Sequence, residues 1–369
     1  MNSVLILNWR CPKNPLSGGA EKVTLEHAKA WVKKGLNVTW LSGNFASGKR
    51  EEIIDGVKIF RFGNPYTIYF LAPFIYWFKF KGNFDLVIDE IHGLPFLSPL
   101  WAWKSKKLAY IHEVAQEIWD EVFPFPINLL GKLYEKIYFY FYKNIPFLTG
   151  SKSTKDDLIR YGINEKNITV VPHGLFLKPI TKIIQKEKNL TILFVGRLVK
   201  MKGINSALKI FSEINKKIPE SKFWIVGSGE KKYVEEIKQL TKDLKIEKSC
   251  IFFGFVDENK KIELYQKTHF LLHTSVREGF GLTVIEANSQ GTPVIAFNSP
   301  GLKDLVKNNI NGFLFNPNNE SLCIKNVIAL FNNPSQYEKL QTSSLEFSKQ
   351  FNWKNITTIS YDLIKSITL

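Results

Sequence analysis

Apolar residues along this chain fall into two alternating kinds of run. Short, nearly continuous apolar runs cover residues 4–8, 37–41, 86–89, 108–111, 147–149 and 169–171. Their length and branched or aromatic content predict buried strands. Helix-period segments lie between them. Over 20–34, Val23, His27, Ala30 and Trp31 share one face, and Gly35 supplies a stop. After a polar, lysine-rich stretch over 178–188 the pattern restarts. Strands are predicted over 190–195, 222–226, 250–253, 270–273 and 293–296, with helices over 204–217, 231–244, 260–267 and 283–290. Strands alternating with helices predict parallel sheets flanked by helices. The restart predicts two such domains, over 1–178 and 189–352, joined by a linker at about 178–189. Two successive open α/β domains are expected to face a cleft, where the C-terminal ends of their strands lie.

Composition supports this picture and adds charge. The chain has 369 residues, comfortable for two domains of about 180 residues each. With 44% hydrophobic and 23% charged residues it is globular in composition. The formal net charge is +16, and both halves are basic, which favours anionic partners. Cys11, Cys250 and Cys323 are widely spaced, with no paired motif for a disulfide framework or a zinc site. The N-terminal residues lead into a strand without a basic segment, so no signal peptide is expected. No apolar run reaches the roughly 20 residues of a membrane span; 66–84 comes nearest and is interrupted by Pro73, Lys79 and Lys81. A cytoplasmic setting is expected.

The densest chemistry lies in Arg277-Glu278-Gly279-Phe280-Gly281-Leu282-Thr283-Val284-Ile285-Glu286-Ala287. Two glutamates are separated by seven residues, with a Gly-Phe-Gly turn ahead of a predicted helix. Glycines allow close backbone approach, and free N–H groups at a helix start hold phosphate. Glu286 is expected two turns down from the helix mouth.

This run resembles the signature of the family-4 retaining glycosyltransferases of GT-B fold, and the resemblance covers nearly the whole chain. Val195-Gly196-Arg197-Leu198-Val199-Lys200-Met201-Lys202-Gly203 is similar to the family's opening strand, turn and helix of the second domain. Gly18-Gly19-Ala20-Glu21 resembles its glycine pair in the first. Ser151-Lys152-Ser153, Val171-Pro172-His173-Gly174 and Gly291-Thr292-Pro293-Val294-Ile295-Ala296 resemble further segments of it. The resemblance implies two Rossmann-like α/β/α domains facing a cleft, with a final helix over 353–369 returning to the first domain. It implies that Arg197 and Lys202 neutralise the donor diphosphate beside Gly196. Glu278 and the backbone of Gly279, Phe280, Gly281, Leu282 and Thr283 would then hold the sugar and distal phosphate, Glu286 the ribose, and Gly18 and Gly19 the phosphate side. Cations aimed at the departing phosphate suit that chemistry. His112, just past a strand end in Ala109-Tyr110-Ile111-His112-Glu113, would orient the reacting centre; Glu113 departs from the family's commoner aspartate. Domain closure would assemble the site.

The expected activity is therefore transfer of a hexosyl unit from a UDP- or GDP-sugar, with retention, to a glycan, lipid-linked or other hydroxyl acceptor. Cell-surface polysaccharide, lipopolysaccharide or glycolipid synthesis is the expected setting. No cofactor and no metal are expected, since no Asp-x-Asp pair marks a nucleotide site. Residues 66–84 hold nine aromatics, and 66–84, 101–107 and 122–147 together carry eight lysines and one acid, Glu135. Aromatics edged by lysine suit an anionic bilayer surface. Val226-Gly227-Ser228-Gly229-Glu230 is half of a dinucleotide fingerprint and reads as a nucleotide-side loop. The alternatives are a nucleotide-sugar epimerase of the same fold and, for the basic charge and aromatics, a nucleic-acid binder. The latter lacks any helix-turn-helix, zinc-finger or RNP-type signature, and no nucleic-acid partner is expected.

Overall fold

The structure, a computed structural model, describes residues 3–368. It forms two compact units, residues 1–174 with 352–369, and residues 175–351.

The first unit opens with β1 (Ser3–Leu7), α1 (Gly19–Lys33), β2 (Asn37–Ser42), β3 (Glu51–Ile54), β4 (Val57–Arg61) and α2 (Ile68–Phe74). It continues with β5 (Leu86–Ile91), β6 (Lys106–Ile111), α3 (Ile118–Val122), α4 (Ile127–Tyr142), β7 (Phe147–Thr149), α5 (Lys152–Arg160) and β8 (Ile168–Val170). The sheet order is β3-β4-β2-β1-β5-β6-β7-β8, parallel apart from the β3–β4 hairpin. Strand β1, in the middle of the sheet, reads as an unbroken apolar run over 4–7 because both sheet faces are covered. Val4, Leu5, Ile6 and Leu7 of β1 are all fully buried, each contributing about 1.5–3 kcal/mol of transfer free energy as an upper bound.

The second unit comprises β9 (Thr191–Val195), α6 (Ile204–Lys217), β10 (Lys222–Val226), α7 (Lys231–Asp243), β11 (Cys250–Gly254) and α8 (Glu258–Lys267). Then follow β12 (Phe270–His273), α9 (Leu282–Ser289), β13 (Val294–Phe297), α10 (Leu302–Leu305), β14 (Gly312–Phe315), α11 (Glu320–Phe331) and α12 (Pro334–Ser348). Its order, β11-β10-β9-β12-β13-β14, is parallel throughout. The order reverses between β9 and β12, which places the loops after these two strands at the point where open α/β sheets bind ligands. The chain then enters α13 (Trp353–Thr368), which belongs to the first unit; Leu369 lies outside the described residues. Ser360 of α13 contacts His27 Nδ1 at 2.8 Å and accepts from Trp31 Nε1 of α1 at 3.1 Å.

Two features differ from the sequence expectation. The lysine-rich stretch 178–188 is packed onto the second unit. Ile180 N–H donates to Ser289 O at 3.0 Å, Glu187 N–H to Lys267 O at 2.9 Å, and Lys186 Nζ to Thr292 Oγ1 at 2.7 Å. Burial pulls the Lys186 amine down to about 7, and this half-buried lysine is a packed donor and not a solvent-facing charge. The β3–β4 hairpin and the elements from α10 to α12 are the second difference. The hairpin turns on Asp55 and Gly56, with φ of 50° and 83°, the conformation that Asp-Gly favours between twisted strands.

Candidate active site

The donor-type residues of the second unit meet through two loops. After β9, residues 196–199 lead into a short turn at Lys200–Lys202, and Gly203 stands at φ 69° before α6. A side chain at 203 would collide with the carbonyl of Thr274, so this position requires glycine both for its φ and for its contact. Thr274 Oγ1 donates to Gly203 O at 2.8 Å, and Val276 N–H to Met201 O at 3.0 Å. These bonds stitch the loop after β9 to the loop after β12. They bring Lys202 Nζ to 2.6 Å from Glu278 Oε1. His273, the last residue of β12, places Nε2 3.6 Å from the same oxygen.

Electrostatics at Glu278 are set by competition. Burial alone would raise its pKa, but the charges of Lys202 and His273 outweigh it and hold the carboxyl at about 2. Burial brings His273 down to about 4, against the pull of Glu278. The group facing a ligand at neutral pH is thus a carboxylate–ammonium pair. Arg197 is exposed and forms no ion pair among the described residues. It is near Lys202 in sequence but not engaged with Glu278.

Helix α9 begins at Gly281, φ 98°, with no side-chain cap. The N–H groups of Gly279, Leu282 and Thr283 meet no backbone acceptor among the described residues. An uncapped helix start with open N–H groups is an anion seat. Phe280 is buried and packs on Phe351, with ring centroids 5.9 Å apart, so its side chain holds the turn from within. About one turn into α9, Glu286 is clamped by α8. Lys261 Nζ donates to its Oε1 and Oε2 at 3.0 and 2.9 Å, and Tyr265 O–H donates to Oε2 at 3.1 Å. Lys261 and Tyr265 lie one turn apart on α8, on one helix face. The Gly227–Gly229 segment packs against the backbone of 196–198: Leu198 N–H donates to Ser228 O at 2.8 Å. It braces the Arg197 loop.

In the first unit, His112 follows β6, buried, with neither ring nitrogen hydrogen-bonded among the described residues. Burial, reinforced by His173, His92 and His27, holds its pKa well below the ordinary value, so the ring is uncharged at neutral pH. Thr154 Oγ1 donates to its carbonyl at 3.2 Å, fixing the strand end on α5. The glycine pair is differentiated. Gly18 N–H donates to Glu21 Oε2 at 2.7 Å, so that donor is spent on the capping box of α1, while Gly19 opens the helix. Arg10 closes the loop by donating to Glu21 Oε1 at 2.9 Å and to Leu16 O.

Sequence reasoning did not single out Lys261, Tyr265 and His273, nor Glu90 and His92 beside His112. The residues of α8 carried no signal, because their meeting with Glu286 is made by helix packing. Glu90 and His92 carried a weak one: a carboxylate and an imidazole at the end of a buried strand.

The fold and this clustering of lysine, paired carboxylates and open helix start define a sugar-transferring enzyme of the two-unit α/β class. Residues 179–346 match the family model described as glycosyl transferases group 1, and residues 17–177 match that of glycosyltransferase family 4. The chain belongs to the family-4 glycosyltransferases of GT-B fold. It is 29% identical to an uncharacterized glycosyltransferase of Haemophilus influenzae, over 92% of this chain and 94% of that protein. It is 30% identical to the alpha-monoglucosyldiacylglycerol synthase of Acholeplasma laidlawii, over 65% and 64% of the two chains. Among solved structures, sucrose-phosphate synthase from Thermosynechococcus elongatus matches with a TM-score of 0.80 at 17% identity, covering 100% of this chain and 99% of that one. Anabaena HepE in complex with UDP and glucose matches with a TM-score of 0.75 at 18% identity, covering 99% and 100%. Among the described residues, no helix is long and apolar enough to cross a membrane.

Proposed function

We propose that this glycosyltransferase moves a hexosyl group from a UDP- or GDP-sugar to a hydroxyl acceptor with retention of anomeric configuration. The observation that carries the reading is the junction of Lys202, Glu278 and the uncapped start of α9. In the reaction the bond from the sugar's anomeric carbon to phosphate breaks and a bond to the acceptor oxygen forms. The acceptor's proton leaves with the departing phosphate. Negative charge grows on that phosphate, and fixed cations and N–H donors there lower the barrier. Lys202 and Arg197 supply the cations, and Gly279, Leu282 and Thr283 the N–H groups. Glu278 takes sugar hydroxyls and Glu286 the ribose. This arrangement neutralises the diphosphate with side-chain cations, so no metal is assigned to it. The HepE complex, in which UDP and glucose are bound, supports a nucleotide-sugar donor. On the first unit, the uncharged His112 offers its ring to a hydroxyl.

The acceptor side is proposed to work at an anionic membrane surface, as a peripheral protein on its inner face. Helix α2 and the turn after it expose Phe70, Phe74 and Phe78 at 78%, 62% and 80%, and α4 exposes Leu130, Leu133 and Tyr140. Lys79, Lys104 and Lys143 lie over aromatic rings of this region. The relatives named as a glycolipid synthase and as the O-antigen chain mannosyltransferase of Salmonella typhimurium support a lipid or glycan acceptor.

Thermal melting with UDP, GDP, ADP and their sugars tests the donor. The true nucleotide raises Tm by mass action, about 2.7 kcal/mol at a hundredfold excess over Kd. No shift with any of them would remove the donor site.

A further inference from the structure

A carboxylate and two imidazoles converge at one end of the first unit's sheet, with no lysine or arginine paired to the carboxylate among the described residues. Strands β5 and β6 are parallel neighbours in the register Glu90↔Tyr110 and Ile91↔Ile111. The next residues along each strand are His92 and His112. One ligand atom from each of Glu90, His92 and His112 lies within 4.8 Å of the other two. His92 Nε2 stands 3.5 Å from Glu90 Oε2, and the two imidazole centroids are 5.5 Å apart.

Two observations go beyond proximity. Both ring nitrogens of His112, and Nε2 of His92, lack a hydrogen-bond partner among the described residues. Unpartnered buried nitrogens are costly unless something takes them up. Glu90 is fully buried, and no lysine or arginine pairs with it among the described residues. Its carboxylate is held by Asn8 Nδ2 on one oxygen and Thr24 Oγ1 on the other. That is how outer groups fix a ligating carboxylate.

We propose that Glu90, His92 and His112 form a binding site for a divalent transition-metal ion of the zinc type. Two imidazole nitrogens and one carboxylate oxygen select zinc, cobalt or nickel over magnesium or calcium, which prefer all-oxygen sets. Three protein ligands leave a coordination position for water or a hydroxyl-bearing molecule. The site lies wholly in the first unit. It takes one ring nitrogen of His112 and leaves the other for the hydroxyl assigned to it above, and it is independent of the donor reading, which assigns the diphosphate to lysine and arginine in the second unit.

Untagged, chelator-stripped protein is titrated with Co2+ and followed by its visible ligand-field bands. Zn2+ stoichiometry is measured by elemental analysis after gel filtration. The expected result is about one ion per chain, bands of a low-coordinate nitrogen–oxygen site, and a Tm raised by Zn2+ but not by Mg2+. His92→Ala should weaken Zn2+ affinity at least about tenfold and abolish the cobalt bands. His92 is part-exposed at a strand end; if the alanine variant melts early without metal, His92→Gln replaces it. Absence of stoichiometric binding, or equal affinity in the His92 variant, would overturn the site. Neither readout involves nucleotide or transfer, so the donor reading stands or falls separately.

Discussion

At the scale of single residues, the Lys202–Glu278 pair yields a prediction with a definite pH sign. The Glu278 carboxyl is depressed to about 2 from an ordinary 4.5. A depressed acid contributes stability that is fully present above the unfolded pKa and is lost as pH falls through the folded one. Lys202→Met removes the principal cause and leaves a mostly buried carboxylate unpaired, at a cost of about 3 kcal/mol. The stability difference between wild type and variant should therefore be largest above about pH 4.5 and shrink as pH falls toward about 2. Urea melts across that window check it; a difference that grows on acidification contradicts the pairing. Turnover should fall about 10²–10³-fold with the fold intact at pH 7, the loss typical of one charge-stabilising group. Lys261 gives a second prediction. It holds both oxygens of Glu286, so Lys261→Met should loosen that carboxylate and cost its reading of ribose. Preference for the ribonucleotide over its 2′-deoxy analogue should drop about tenfold, the scale of one hydrogen bond to a charged group. Calorimetry with the two nucleotides measures this; unchanged preference would detach Lys261 from ribose recognition. Lys202 and Glu278 were legible in the sequence because each sits in a local motif of glycines and charges. Lys261 and Tyr265 were not, because only the packing of α8 on α9 brings them to Glu286.

At the scale of elements, the strands were legible for a physical reason. Strands buried on both faces need uninterrupted apolar runs, as in 4–7 and 192–195. The β3–β4 hairpin alternates weakly, with Glu51 and Lys58 on its exposed positions, and only its Asp-Gly turn announced it. The stretch 178–188 was misleading because lysines usually mark solvent, while Lys186 is a half-buried donor to Thr292 here. The aromatic run 66–84 proved to be of two kinds. Tyr76 is buried in the core, whereas Phe74 and Phe78 stack outward with centroids 6.5 Å apart. A one-sided outward stack on a short helix carries the membrane reading. Phe74→Ser with Phe78→Ser should leave melting nearly unchanged, since neither side chain is buried. The same change should release the protein from vesicles containing anionic lipid in flotation, losing roughly 1.5–3 kcal/mol per ring. Full co-flotation of the double variant would mean that α2 does not dock.

At the scale of the whole chain, connectivity makes the first unit discontinuous, and this has an energetic consequence. Its last helix, α13, is supplied from the far end of the sequence, after the second unit is complete. Ile356 and Ile364 of α13 are buried. Ser360 is the hydrogen-bond partner of both His27 and Trp31. Trp353 also packs on Gly174, where any Cβ would meet the indole ring. Removing α13 exposes the apolar face that these residues cover, at about 1.5–3 kcal/mol for each buried isoleucine. It also leaves His27 and Trp31 without their partner, at about 1–3 kcal/mol each. Together these approach the whole stability of an ordinary domain, about 5–15 kcal/mol. A fragment ending at residue 174 should therefore fail to give a cooperative melt. The same fragment with residues 352–369 joined by a flexible linker should recover one, because the missing face is restored without the second unit. A cooperative transition in the bare fragment would show that α13 only decorates a unit already complete.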